Sequence, residues 1–209
     1  EKLHGVVDAL DFIDDVTTRQ WRTVDVGKRV AVIGAGNTAI DAATEAKRLG
    51  AEHVMMIYRR SEREMPAYRF EFELAKKDGI LFHFLTTPKR IMGTMHVEGI
   101  ECVAMRLGLE DADGRKRPEE VSNSEFVIPV DMVITSVGQR VESSFLSQIP
   151  NLKTEQGTVW VHPDSMQTSN PKFFAGGDCT SGGREVVNAA AEGKRAAHGI
   201  HHYLLPIKN

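Results

Sequence analysis

The chain has 209 residues, of which 41% are hydrophobic and 26% charged, with a formal net charge of −3. That is room for one full domain and part of another, in an ordinary globular balance whose mildly acidic surface disfavours nucleic acid or an anionic membrane as partner. Cys102 and Cys179 stand far apart with no Cys-x-x-Cys pair, which leaves no ligand set for an iron–sulfur cluster, a four-cysteine zinc or a redox dithiol within the chain.

In chain order, apolar positions over residues 5–13 recur at helical spacing and predict a short amphipathic helix. Arg29-Val30-Ala31-Val32-Ile33 is a β-rich run that ends in a glycine turn. Alanines and Ile40 at helical spacing predict a helix over 38–49, stopped by Gly50. A second buried strand follows at 53–58, completing a strand–helix–strand unit of about the ~30 residues such units take. A helix over 68–78, closed by Gly79, and a strand over 80–85 come next. Residues 99–109 and 125–129, with the turn Asp111-Ala112-Asp113-Gly114, predict a hairpin. Another strand runs over 132–138, 141–171 is loop-rich, 173–178 predicts a strand ending in a polar turn, and 185–203 a long helix.

The turn Gly34-Ala35-Gly36-Asn37-Thr38-Ala39 carries the chemistry. Gly34 permits a tight exit from the strand, Gly36 lets backbone approach a pyrophosphate, and Ala39 keeps the helix packed on the strand. The helix opening near Asn37 and Thr38 turns its free amides and positive dipole end toward the anion. The preceding strand, the following helix and the second strand are the context that makes G-x-G-x-x-A informative. The second strand ends in Tyr58-Arg59-Arg60, where an NAD site has a carboxylate for the ribose 2′-hydroxyl. Two guanidiniums suit a 2′-phosphate, which favours NADP; the bland alternative is a solvated pair balancing Glu62 and Glu64.

Residues 27–41, Tyr58-Arg59-Arg60 with Met65-Pro66, and Phe174-Ala175-Gly176-Gly177-Asp178 with Ala189-Ala190-Ala191-Glu192-Gly193 resemble the glutamate synthase small (β) subunit and its relatives, including the electron-input part of dihydropyrimidine dehydrogenase. The resemblance runs over nearly the whole chain. It implies an α/β chain in which a Rossmann-like NAD(P)H-binding domain, residues 22–135, is joined to part of a second Rossmann-like, FAD-binding domain formed by 1–21 and 136–209. It implies that NADPH reduces FAD and that electrons pass to a partner, either a subunit like the glutamate synthase large subunit or a pyrimidine-reducing domain. Iron–sulfur clusters are expected outside this chain. Gly138, Gly177 and Asp178 join the cofactor-binding positions, Asp178 toward the ribityl and pyrophosphate part of FAD. The helix opening at Glu185 and Val186 would aim its amides at the flavin ring. The family's first G-x-G-x-x-G and its cysteine-rich region are absent, as in a carboxy-terminal fragment.

Hydride transfer from nicotinamide to flavin depends on alignment more than on an acid or base, so no catalytic side chain is assigned and no metal site is expected. Asp41 is read as a helix-dipole carboxylate, and His198, His201 and His202 as end-of-helix cations rather than zinc ligands. The Tyr-x-x-x-Lys pair of a short-chain dehydrogenase is missing, since Glu62, Phe72 and Ile207 stand four residues after the three tyrosines. A dinucleotide-sensing or docking module without chemistry is the alternative from another class. Two isolated thiols and the lack of a spanning apolar run suit a reducing cytoplasm.

Overall fold

Val6 and Val7 are β-branched and open strand β1 (Val6–Asp8). Asp8 then starts helix α1 (Ala9–Thr18), its side chain accepting from the Leu10 amide at 2.9 Å. The helix expected over 5–13 therefore begins only at Ala9, because Val6 and Val7 pair in parallel with Val133 and Ile134. The computed structural model describes residues 3–110, 116–138 and 143–205, and the chain divides into two compact units, Glu1–Val137 and Gly138–Asn209.

In the first unit, β2 (Arg29–Ile33), helix α2 (Asn37–Arg48) and β3 (His53–Ile57) form the expected strand–helix–strand unit. Helix α3 (Arg69–Lys77) and β4 (Leu81–His83) follow. The chain then makes three antiparallel strands, β5 (Thr86–Gly93), β6 (Val97–Glu110) and β7 (Lys116–Ile128), before returning to the parallel sheet as β8 (Met132–Thr135). The five parallel strands lie in the order β1-β8-β2-β3-β4. The expected hairpin is thus two strands of a three-stranded meander; its turn, 111–114, lies outside the described residues.

Side-chain alternation explains the layering. Val30, Val32, Val54, Met56, Met132 and Ile134 point to the face covered by α1 and α2. Ala31, Met55, Ile57 and Val133 point to the opposite face and pack against Val97, Ile100, Cys102 and Ile128 of the meander. Strands buried on both faces read as continuous apolar runs, which is how β2, β3 and β8 read in the sequence. β1 and α1 belong to this unit, and Phe12 and Val16 of α1 are 3% and 4% exposed in the same helix-side core.

The second unit contains the short helix α4 (Ser143–Leu146), the antiparallel pair β9 (Thr154–Glu155) and β10 (Thr158–Val159), the single turn α5 (Asp178–Ser181), and the long helix α6 (Val186–Leu204). The strand expected over 173–178 is reduced to one bridge, Phe174 to Gln167. Thr168 N donates to the Phe173 carbonyl and Ala175 N to the Met166 carbonyl, while Phe173 N turns to the Asn170 carbonyl. Gly199 of α6 is needed by packing, since a Cβ there would run into the Ser165 carbonyl oxygen.

Cys102 is fully buried in the meander-side core, and burial pushes its thiol up to about 11, with Glu101 beside it acting the same way. Because the folded value lies above the unfolded one, the thiol's contribution to stability is complete below pH 9 and is lost as the pH rises toward 11. At mildly alkaline pH a thiol reagent is expected to modify partly accessible Cys179 quickly and Cys102 only after denaturant is added. Equal labelling of both in the native protein would contradict this placement.

Candidate functional site

The dinucleotide turn begins where β2 runs out. Gly34 has φ +135°, and a Cβ there would run into the Ser136 carbonyl oxygen at the end of β8, so both conformation and contact require glycine. The Gly34 amide donates to the Ile57 carbonyl at 3.0 Å, and Ser136 N donates to the Ile33 carbonyl at 2.8 Å. The turn is therefore clamped between the ends of β3 and β8.

Gly36 differs. Its φ of −83° suits any residue, and a Cβ there would meet nothing within 4 Å. Neither strain nor protein packing asks for glycine at this position. Gly36 is also the N-cap of α2, with no side chain to engage the first amides of the helix, and no acidic residue lies in the first turn. The Asn37 and Thr38 amides precede the first bonds of the helix, which Ala39 N and Ile40 N make to the Gly36 carbonyl, and fully buried Ala39 holds the helix against the sheet. Asn37 also braces the neighbouring loop. Its Oδ1 accepts from the Tyr68 amide at 3.0 Å while Ala67 N donates to the Ala35 carbonyl. The loop after Pro66 is thereby fastened to the glycine turn.

Arg59 is exposed at the end of β3 and has no ion pair among the described residues. The carboxylates that could have balanced it are engaged elsewhere. Glu62 pairs with Arg69 at 2.6 Å. Glu64 closes a capping box with Ser61, whose hydroxyl donates to it at 2.5 Å and, as the main cause, holds its carboxyl below the usual range. Arg60 is half-buried; its Nε donates to the Lys116 carbonyl at 3.2 Å. The structure thus gathers Gly34, Gly36, Asn37, Thr38, Ala39, Arg59 and Arg60 at the carboxyl ends of β2 and β3, where open α/β sheets bind ligands.

The remaining predicted positions belong to the second unit. Gly138 opens it with φ +94° and is exposed. Gly177, at φ +78°, leads into Asp178, whose Oδ1 accepts from Arg184 N at 3.5 Å. Glu185 caps α6 by position only, without a side-chain hydrogen bond, and Val186 is 82% exposed beside the free amides. A cavity of about 640 Å³ borders this turn, with Gly176, Asp178 and Cys179 on one side and mostly apolar walls such as Phe145 and Phe173.

Sequence reasoning did not single out Glu192. It is 8% exposed, and its Oε2 accepts from the Gly177 amide at 2.6 Å and from the Thr180 hydroxyl at 3.0 Å. A buried carboxylate with two donors fixes the Gly-Gly-Asp turn to α6. The signal available was an acidic residue amid Ala189, Ala190, Ala191 and Gly193.

Residues 2–193 match the family described as pyridine nucleotide-disulphide oxidoreductase. The chain belongs to this family. Among its relatives, the β subunit of the NADP(+)-dependent formate dehydrogenase of Moorella thermoacetica is 41% identical over 201 residues, which are 96% of this chain and 28% of that protein. The NADPH glutamate synthase small chain of Escherichia coli is 40% identical over 185 residues, 85% of this chain and 39% of its own length. The expected resemblance to glutamate synthase small subunits is thus found, and the chain spans well under half of either relative. Among solved structures, T. acidophilum thioredoxin reductase superposes with a TM-score of 0.72 at 22% identity, covering 95% of this chain and 57% of that one. Mycobacterium tuberculosis FprA in complex with NADPH gives 0.71 at 18% identity, over 98% and 60%. At these identities the two structures establish the shared Rossmann-like α/β fold.

Gly34→Ala is expected to destabilise the chain by about 2 kcal/mol or more, through strain and the Ser136 clash. Gly36→Ala should cost no more than about 1 kcal/mol in folding, yet weaken dinucleotide binding by roughly an order of magnitude, if the open space at Gly36 is where the backbone meets the pyrophosphate. Thermal melts and cofactor titration of both variants separate these effects.

Proposed function

We propose that the chain is the NADPH-binding part of a flavin-dependent oxidoreductase that passes electrons from NADPH to FAD and on to a partner subunit or domain. The observation that carries this reading is the open space at Gly36, at the uncapped start of α2, beside an Arg59 that no carboxylate among the described residues neutralises. Backbone amides and a helix N-terminus suit a pyrophosphate. A guanidinium without an ion pair at the end of β3 suits the 2′-phosphate that distinguishes NADPH from NADH.

On this reading the unit ending at Val137 holds NADPH, and the unit from Gly138 onward is part of an FAD-binding domain. Asp178 offers a carboxylate to ribityl hydroxyls. Gly177 gives the chain the conformation that brings Asp178 there. The amides at Glu185 and Val186 present a positive end suited to negative charge on a flavin ring. The 640 Å³ cavity, mostly apolar with a few polar groups at one edge, has the character of a cofactor site. When bound, FAD supplies the hydride-accepting chemistry; the chain's own residues bind and orient the two cofactors. The relatives named above are subunits of NADP(+)-dependent formate dehydrogenase and NADPH glutamate synthase, which supports an electron-accepting partner for this chain. Iron–sulfur clusters belong to parts of the assembly outside it.

Titration of the protein with NADPH and NADH tests the reading. NADPH should bind more tightly, and Arg59→Ala should cost about 1.5–3 kcal/mol of NADPH binding while leaving NADH unchanged. Equal wild-type affinities would overturn the 2′-phosphate assignment.

A further inference from the structure

The β6–β7 ribbon reaches the end of β3. β6 pairs with β5 up to Ala104 and continues with β7 alone, Glu110 standing opposite Lys116. This distal part is tied to the loop that bears the two arginines. Leu85 N donates to the Arg60 carbonyl at 3.0 Å, Met105 N donates to the Leu85 carbonyl at 2.7 Å, and Arg60 Nε donates to the Lys116 carbonyl at 3.2 Å. Residues 60 and 116, distant in sequence, are thereby held side by side.

We propose that Lys116 is a third cation of the site that takes the phosphomonoester on the adenosine ribose, so that the ribbon as well as the end of β3 tells NADPH from NADH. The inference rests on the NADPH reading above and adds a specificity residue to it. Three observations carry it. The Arg60–Lys116 hydrogen bond places the Lys116 backbone beside the arginine loop. Lys116 is exposed, and its charge reaches Glu64 of that loop strongly enough to contribute to holding the Glu64 carboxyl down, after the larger effect of Ser61. At the same corner Arg59 is exposed and without an ion pair among the described residues, Glu62 being paired with Arg69 and Glu64 hydrogen-bonded to Ser61.

The chemistry divides between the residue types. A phosphomonoester carries a charge of about −1.5 to −2 near neutral pH. A guanidinium meets it with a planar fork, whereas the ammonium of Lys116, on a flexible stem, acts as a point charge and adapts to the oxygens the arginines leave. An exposed ammonium is screened, so its share should be smaller than that of Arg59 and should shrink with added salt.

Adenosine 2′,5′-bisphosphate and AMP are suitable probes with the full chain, because they differ only in the 2′-phosphate and need no flavin. By calorimetry, Lys116→Ala should weaken the bisphosphate by about three- to tenfold at low salt, leave AMP and the melting temperature unchanged, and lose most of its effect at high salt. Lys116→Arg should restore binding. If wild type prefers the bisphosphate and Arg59→Ala abolishes that preference while Lys116→Ala binds like wild type, the role of Lys116 is overturned and the NADPH reading stands. If wild type binds both probes equally, the 2′-phosphate reading falls, and this inference with it.

Discussion

A parallel strand in the middle of a sheet has two faces to hide, and the first unit is organised by that requirement. Val30 and Val32 need a helix layer while Ala31 between them needs a second cover, and the same alternation repeats along β3 and β8. Helices supply one cover. The other is the β5–β7 meander, inserted between β4 and β8, so the chain must leave the sheet at one edge and return to its middle. That return sets β8 against β2, and the strand order reverses there: β3 and β4 extend one way, β8 and β1 the other. A crevice at such a reversal is where open α/β sheets bind ligands. The contact that confines Gly34, the Ser136 carbonyl at the end of β8, results from the same arrangement.

The parts of this design that the sequence shows are those written in local patterns. β2, the glycine turn, α2 and β3 are legible because buried parallel strands are unbroken apolar runs and because glycine, alanine and helix spacing punctuate them. β5 is not, because Pro88, Lys89 and Arg90 break its apolar pattern; it is an edge strand with a register shift at that point, a place where proline is tolerated. β1 is hidden for another reason. Val6 and Val7 fall in phase with the apolar positions of α1, and only pairing with β8, more than a hundred residues on, makes them a strand. In the site, Gly34, Gly36 and Arg59 carry their own signals. Glu192 shows only as an acidic residue amid small ones, and its bond to the Gly177 amide is not written there; Lys116 meets Arg60, 56 residues away in sequence, so no local pattern marks it.

The starts of the helices tell protein needs from ligand needs within this one chain. α1 begins with Asp8 capping the Leu10 amide and Asp11 in its first turn. α3 lacks a side-chain cap but has Glu71 in its first turn, and α5 has Asp178. Even the single turn 62–64 is closed by a reciprocal Ser61–Glu64 box. Among α-helices whose N-caps are described, only α2 and α6 have neither a capping side chain nor an acidic residue in the first turn. Leaving such a start unneutralised forgoes roughly 1 kcal/mol that one serine or aspartate would restore. α2 and α6 are also the longest helices among the described residues, and an anion can take the place of a cap at a helix start left in this way. Gly36 removes the last obstacle at one of them, since the only thing its missing Cβ makes room for lies outside the protein. A purely structural helix start would have no reason to leave both the donors and the space open together.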